Sequence, residues 1–185
     1  GVTTGEWGLA MRAVFGEYRA PTGVGAAVSN TATGLEEIRE AVSAASQRLG
    51  RTMKFVVGKP GLDGHSNGAE QIAVRARDSG MDVVYEGIRM TPEAIVARAA
   101  EEDAHVIGLS ILSGSHLPLI EEVTTRLKAA GRSTPVVVGG IIPDADAEAL
   151  LAMGVAKVYT PKDFDLNRIM FDIVGLVDAE GREAA

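Results

Sequence analysis

Three residues suited to chemistry lie close together in a glycine-rich stretch, residues 58–68. They are Lys59, Asp63 and His65. An imidazole is the commonest metal ligand, and a ligating ring usually donates its other N–H to a carboxylate or carbonyl. Asp63 shortly precedes His65 and can be that carboxylate, while Lys59 can keep it ionised. The spacing predicts a relay from Lys59 through Asp63 to His65 and a metal; the alternative is a loop histidine bonded only to its neighbour.

The histidine content limits which metal site is possible. A closed zinc site takes about four protein ligands, but the chain has no cysteine, and His105 and His116 lie far from His65 in sequence. A single histidine suits a metal that arrives with its own equatorial ligands, as in a tetrapyrrole-type cofactor. On residue types alone, both hypotheses for His65 stay open.

The glycine-rich stretch connects a predicted strand to a predicted helix. The apolar run 55–57 precedes it, and Ile72 and Ala76 continue a helical face after it. In open α/β sheets, ligands bind outside the carboxyl ends of the strands. Glycines at such a place let a backbone approach a bulky group. The stretch therefore has the position and the composition of a ligand-binding loop.

The chain from Thr52 onward alternates strands and helices. Predicted strands cover residues 53–57, 81–85, 105–109, 135–138 and 155–159, and predicted helices cover residues 66–79, 92–103, 116–130, 144–153 and 165–177. This alternation predicts an α/β fold, a doubly wound five-stranded parallel sheet of flavodoxin/Rossmann-like type in the order 2-1-3-4-5. That order brings three loops, 58–68, 110–115 and 139–143, to one edge, where small residues leave room for a flat aromatic group.

Residues 1–50 lie outside the repeating pattern. A helix is predicted from Thr4 to Phe15, with an apolar stripe that includes Trp7, and a second helix over residues 34–49. The turn-rich segment 19–25 between them is predicted to be irregular. The predicted organisation is a connector with about two helices (residues 1–50), a binding domain (51–178) and a frayed tail (179–185). An exposed stripe around Trp7 would be a contact surface for a partner.

Composition excludes several classes of function. The net charge of −7, without a basic cluster, argues against a nucleic-acid surface. The absence of cysteine excludes a disulfide framework. No apolar run approaches the roughly 20 residues of a membrane span, and no signal peptide is visible. We therefore expect a cytoplasmic protein that contacts neither nucleic acid nor membrane.

Three short motifs resemble those of a known family. Residues 63–68 match D-x-H-x-x-G, residues 110–112 match S-x-L, and residues 139–140 form a G-G pair. Together and in this order they resemble the cobalamin-binding domains that hold the cofactor base-off with a histidine on cobalt. The surrounding sequence, including residues 15–23 and 159–165, resembles the C-terminal part of the adenosylcobalamin-dependent acyl-CoA mutases, the methylmalonyl-CoA mutase family.

The resemblance implies a role for each motif. His65 would be the lower axial cobalt ligand, tuned by Asp63 and Lys59, and no residue of this chain would be catalytic toward the substrate. A groove would take the dimethylbenzimidazole tail of cobalamin. The cofactor-binding residues implied are Gly64, His65, Ser66, Asn67, Gly68, Ser110, Leu112, Ser113, Gly139, Gly140, Tyr159 and Thr160.

The resemblance also implies partners. The cofactor would be adenosylcobalamin, and the acyl-CoA substrate would sit in a (β/α)8 barrel on another domain or subunit, since 185 residues cannot also hold a barrel of about 250. The full enzyme could be a homodimer. An alternative is a corrinoid-binding module of a methyltransferase or sensor, but those usually carry about four helices ahead of the motif. A flavodoxin-like receiver or nucleotide binder is a third hypothesis, although no G-x-x-x-x-G-K-[ST] is present.

Overall fold

The computed structural model describes residues 2–15 and 32–183, so the predicted irregular segment 19–25 lies outside the described residues. The chain divides into two compact units, residues 1–31 and 32–185. In the first unit, α1 (Thr4–Phe15) forms as predicted. Its start is a capping box, in which the Thr3 hydroxyl accepts from the Glu6 N–H at 3.3 Å and the Glu6 carboxylate accepts from the Thr3 N–H at 2.9 Å. Trp7, Met11 and Val14 are exposed on this helix.

The second unit is built on a five-stranded parallel sheet. Its strands are β1 (Lys54–Gly58), β2 (Asp82–Tyr85), β3 (Val106–Ile111), β4 (Val136–Gly140) and β5 (Lys157–Tyr159). Their order is β2-β1-β3-β4-β5, which confirms the predicted flavodoxin-like topology. The central strands are almost continuously apolar and buried, as expected when helices cover both faces of a parallel sheet.

Helices pack on both faces of this sheet and create two cores. The helices are α2 (Ala32–Leu49), α3 (Asn67–Asp78), α4 (Pro92–Glu101), α5 (His116–Ala129), α6 (Asp144–Ala152) and α7 (Leu166–Glu183). One core lies under α2, α3 and α7 around Phe55 and Met170. The other lies under α4, α5 and α6 around Ile107 and Ile120. Among the described residues, no helix combines the length and apolar character required to cross a membrane.

Several elements end later than their sequence patterns predict. Ser110 and the pair Gly139–Gly140, expected in loops, belong to β3 and β4 because Ser110 pairs with Gly139 in the ladder. The last helix, α7, continues to Glu183 rather than ending at Val177, so residues 178–183 are helical, while fraying of the tail 179–185 stays a prediction. Most of these added residues are good helix formers, which lets the helix continue. The helix α2 packs into the core through Ile38 and Val42, while the domain boundary at residue 50 stays a prediction.

Candidate functional site

The loop after β1 is held at the carboxyl edge of the sheet by hydrogen bonds to the loop after β2. Pro60 and Met90 form an isolated parallel bridge. The Met90 N–H donates to Lys59 O at 2.9 Å, and the Gly61 N–H donates to Met90 O at 3.0 Å. Gly61 has a φ of 84°, a backbone conformation that strongly favours glycine. This anchoring fixes the start of the segment that carries Asp63 and His65.

Asp63 and His65 form a local hydrogen-bonded pair. Asp63 Oδ1 accepts from the His65 N–H at 3.0 Å and lies 2.7 Å from His65 Nδ1. The His65 side chain is nevertheless 79% exposed, whereas the Asp63 side chain is only 6% exposed. With Nδ1 bonded to the carboxylate, the exposed ring offers Nε2 as its ligating atom.

The ammonium group of Lys59 contacts the other oxygen of the same carboxylate. Its side chain is fully buried, and Nζ lies 3.3 Å from Asp63 Oδ2 and 3.1 Å from Ser110 O. Lys59 is therefore a buried residue of the site and not a solvated loop charge. The Leu112 N–H donates to Asp63 Oδ2 at 3.1 Å, so the loop after β3 is bonded to the loop after β1. This backbone donor could not be predicted from residue types.

The surroundings of Asp63 keep it ionised. Burial raises the pKa of its carboxyl, but the hydrogen bonds from the His65 N–H and ring, the Leu112 N–H and Lys59 outweigh burial and hold the pKa well below its ordinary value. A carboxylate that stays ionised fixes the proton of the neighbouring imidazole on Nδ1. The arrangement therefore turns Nδ1 of His65 toward the carboxylate and leaves Nε2 as the nitrogen available to a ligand.

A second part of the site crosses the sheet beside this relay. Ser110, Gly139 and Tyr159 are successive partners on β3, β4 and β5. A Cβ built on Gly139 would meet nothing closer than Tyr159 Cβ at 4.0 Å, and one on Gly64 would meet nothing within 4 Å. The protein's own packing does not explain why these two positions lack side chains. They leave open space where a ligand can approach the backbone.

Tyr159 adds an unusual polar group to this row. Its hydroxyl is buried and has no hydrogen-bond partner among the residues that the structure describes. Burial, reinforced by Asp172 and Asp163, raises the pKa of this phenol. A buried hydroxyl without a partner is unfavourable, so this atom is a candidate contact for a bound group.

Among the remaining predicted site residues, Thr160 and Ser113 form hydrogen bonds only with residues close to them in sequence. The Thr160 hydroxyl donates to Asp163 Oδ2 at 3.2 Å within its own turn, and Ser113 Oγ lies 2.7 Å from Ser115 Oγ. Ser66 precedes α3 without making a side-chain cap. Three further members of the predicted set flank this row: Asn67, Gly68 and Gly140. Gly140 differs from Gly139 because it packs tightly against Ile111.

The sequence did not predict one polar pair at this edge. His116 Nε2 lies 2.7 Å from Asp146 Oδ2, and the His116 side chain is 5% exposed. Both residues fall in the first turns of helices that follow neighbouring strands, so the topology alone would have placed them at one edge. Nothing in the sequence identifies them as partners. His105, in contrast, lies at the opposite end of the sheet, where its Nδ1 accepts from the Lys54 N–H at 2.8 Å.

Comparison with known proteins agrees with this architecture. Residues 53–163 match the B12 binding domain family. The chain is 68% identical to ethylmalonyl-CoA mutase of Cereibacter sphaeroides over 96% of this chain and 27% of that protein. It is 38% identical to the 2-hydroxyisobutanoyl-CoA mutase small subunit of Aquincola tertiaricarbonis, over 70% of this chain and 95% of that subunit.

A solved structure supports the fold. A cobalamin-binding protein from Desulfitobacterium hafniense DCB-2 aligns with a TM-score of 0.57 at 21% identity, covering 89% of this chain and 76% of that one. The chain thus belongs to the B12-binding domain family. Within that family it is the cobalamin domain of an acyl-CoA mutase family member, as the sequence motifs predicted. It spans about a quarter of the length of the ethylmalonyl-CoA mutases that it matches.

Proposed function

We propose that this chain binds cobalamin base-off, with His65 Nε2 as the lower axial ligand of cobalt. One observation carries this proposal: Asp63 Oδ1 lies 2.7 Å from His65 Nδ1 while the ring is 79% exposed. Metal-ligating histidines usually donate one ring N–H to a carboxylate and bind the metal through the other nitrogen, and His65 has this arrangement, with Nδ1 toward Asp63 and Nε2 available. A single histidine is then enough to complete the coordination of a metal whose equatorial ligands belong to the cofactor.

The displaced benzimidazole tail would occupy the open space beside the sheet. The missing side chains at Gly64 and Gly139 and the unpartnered hydroxyl of Tyr159 support this choice. Ser110 would offer its hydroxyl to the tail, and Leu112 an apolar wall. The full proposed contact set also includes Ser66, Asn67, Gly68, Ser113, Gly140 and Thr160.

Lys59 and Asp63 would tune the ligand rather than touch the cofactor. The buried ammonium of Lys59 and the Leu112 N–H both contact Asp63 Oδ2. They stabilise its negative charge, which in turn makes the His65 ring a better donor through its Nδ1–H bond. Carboxylates in this position typically affect metal affinity by about 10–100-fold.

In the complete enzyme, this chain would be the cofactor-binding part of an adenosylcobalamin-dependent mutase that converts ethylmalonyl-CoA to methylsuccinyl-CoA. The identity of 68% to an ethylmalonyl-CoA mutase supports this assignment. Adenosylcobalamin supplies a cobalt–carbon bond whose homolysis provides the radical for rearrangement. The chain positions the cofactor, and none of its residues is assigned a substrate contact.

The substrate would bind to a separate part of the enzyme. The matched region is 27% of the ethylmalonyl-CoA mutase but 95% of the small subunit of 2-hydroxyisobutanoyl-CoA mutase. We therefore propose that a (β/α)8 barrel binds the acyl-CoA as another domain or subunit, that the isolated chain is inactive, and that the full enzyme is a homodimer.

The cobalt ligand can be identified directly by electron paramagnetic resonance. The chain, made with nitrogen-15 histidine, is loaded with cobalamin and reduced to the cobalt(II) state. Ligation by His65 should change the nitrogen superhyperfine splitting from a triplet to a doublet, and His65→Ala should lose the protein-derived splitting. His105→Asn is the matched control, because it removes a histidine at the other end of the sheet. A triplet in the labelled chain would identify benzimidazole as the ligand and overturn the assignment.

A further inference from the structure

A second polar pair, of which one partner is buried, lies beside the proposed cobalamin site. Lys59 and His116 are two of the four buried polar side chains among the residues that the structure describes. The relay already explains Lys59. His116 is not explained by it, although it begins the helix α5 directly after the loop that contains Leu112 and Ser113.

The contacts of His116 connect two loops of the site. On one side of its ring, Nδ1 lies 3.2 Å from Ser113 O in the β3–α5 loop. On the other side, Nε2 lies 2.7 Å from Asp146 Oδ2 in the first turn of α6. Residues 141–143 connect β4 to that turn. The His116–Asp146 pair therefore fixes the spacing between the loop after β3 and the loop after β4.

The loop after β3 is consequently held from two directions. The Lys59–Asp63 pair bonds its beginning through Ser110 O and the Leu112 N–H. The His116–Asp146 pair bonds its end through Ser113 O. The first pair supports the proposed cobalt ligand, whereas the second lies where α5 and α6 begin, on the face of the sheet that these helices cover.

We infer that His116 and Asp146 are positioning residues that hold the loops after β3 and β4 at the spacing that the nucleotide tail requires. This inference rests on the proposed binding of cobalamin and adds a specific role within it. Polar pairs inside a protein often contribute little net stability compared with apolar residues of similar size. They do, however, fix one geometry, because each group must face its partner. A pair that joins two loops of the site therefore acts on ligand fit more than on folding.

The test compares two corrinoids that differ only in the tail. Hydroxocobalamin carries the nucleotide tail, and aquocobinamide has the same corrin and cobalt but lacks it. Dissociation constants for both are measured by visible absorption for the parent chain and for a double variant, His116→Leu with Asp146→Leu. His116→Gln, which keeps a donor toward Asp146, is the conservative variant. Thr124→Val is the control, because it removes a buried polar group on α5 that bonds only within its helix.

If the inference is right, the double variant should lose only the part of its corrinoid affinity that the nucleotide tail contributes. The double variant should bind hydroxocobalamin about tenfold more weakly, as expected when one positioning hydrogen bond is lost, with aquocobinamide binding and urea stability close to the parent. His116→Gln should lie between, and Thr124→Val should match the parent. Equal weakening of both corrinoids, or no weakening of either, would overturn the inference while leaving the cobalamin function intact. A parent chain that binds neither corrinoid would overturn both.

Discussion

Gly140 and Ile111 face each other across the β3–β4 ladder, and a Cβ on Gly140 would lie 1.8 Å from the carbonyl oxygen of Ile111. No side chain fits at that distance. The preceding residue, Gly139, has no such conflict, since its nearest neighbour would be Tyr159 Cβ at 4.0 Å. The two glycines of one motif therefore differ: packing of the sheet requires Gly140, whereas it does not require Gly139, which in the proposed function leaves room for the ligand.

This difference predicts opposite behaviour of two alanine variants. Gly140→Ala should lower the free energy of unfolding by about 3 kcal/mol or prevent folding, because the added methyl group overpacks the strand pair. Gly139→Ala should change it by less than about 1 kcal/mol but weaken cobalamin binding. Urea denaturation and visible titration measure the two effects. Normal cobalamin affinity in Gly139→Ala would show that this space is not used by the ligand.

The buried pair of Lys59 and Asp63 should be strongly coupled. Lys59→Met leaves the buried carboxylate without its ammonium partner, and Asp63→Leu leaves a buried ammonium. Each single variant should lower the free energy of unfolding by about 3–5 kcal/mol. The double variant should lose less than the sum, because it leaves neither charge unpaired.

The matched control for this cycle is Lys54, whose side chain is 20% exposed and pairs with Glu102 at 2.6 Å. Lys54→Met should change the free energy of unfolding by about 1 kcal/mol or less. Additive effects of the Lys59 and Asp63 variants in urea denaturation would contradict the coupling.

The unpartnered hydroxyl of Tyr159 should affect the free and the bound protein in opposite directions. Tyr159→Phe removes a buried polar atom that has no partner among the described residues, so it should not reduce stability and can increase it by about 1 kcal/mol. If the tail of cobalamin supplies the missing partner, the same variant should bind cobalamin more weakly. Tyr85→Phe, which also removes an unpartnered hydroxyl but on the edge strand β2, is the control and should leave binding unchanged.

His105 should make folding less favourable in mildly acidic solution. Burial, together with the nearby positive charges of Arg51 and Lys54, lowers the pKa of His105 below its ordinary value of 6.5, although Asp103 acts in the opposite direction. Its Nδ1 also accepts a backbone hydrogen bond that protonation at that atom would break. As the pH falls below about 6.5, the unfolded chain therefore binds this proton before the folded chain does, and stability decreases until the folded pKa is passed.

The variant His105→Asn isolates this contribution, because an amide oxygen can accept from the Lys54 N–H without titrating. Urea denaturation between about pH 7.5 and pH 5 should show a smaller loss of stability for the variant than for the parent. Identical pH dependence in the two proteins would show that His105 does not contribute.

Some of the site could be predicted because the determining contacts are local. Asp63 and His65 are close in sequence, so a flexible glycine-rich loop is sufficient to bring them together. The alternation of strands and helices predicted the sheet order, because short connections and right-handed crossovers permit few topologies. The order of the motifs at residues 63–68, 110–112 and 139–140 predicted the family by resemblance, and each motif lies at or just after the carboxyl end of one strand of that sheet.

Only the tertiary structure decided the contacts between distant segments. The complete burial of Lys59, the Leu112 N–H bond to Asp63 and the His116–Asp146 pair depend on how the loops after β1, β3 and β4 lie next to one another. The different roles of Gly139 and Gly140 depend on the register between β3 and β4, which places one Cα against a carbonyl and the other beside open space. A sequence specifies which residues are present at the edge of the sheet, but hydrogen-bond partners there are selected by distances of a few tenths of an ångström, which packing alone determines.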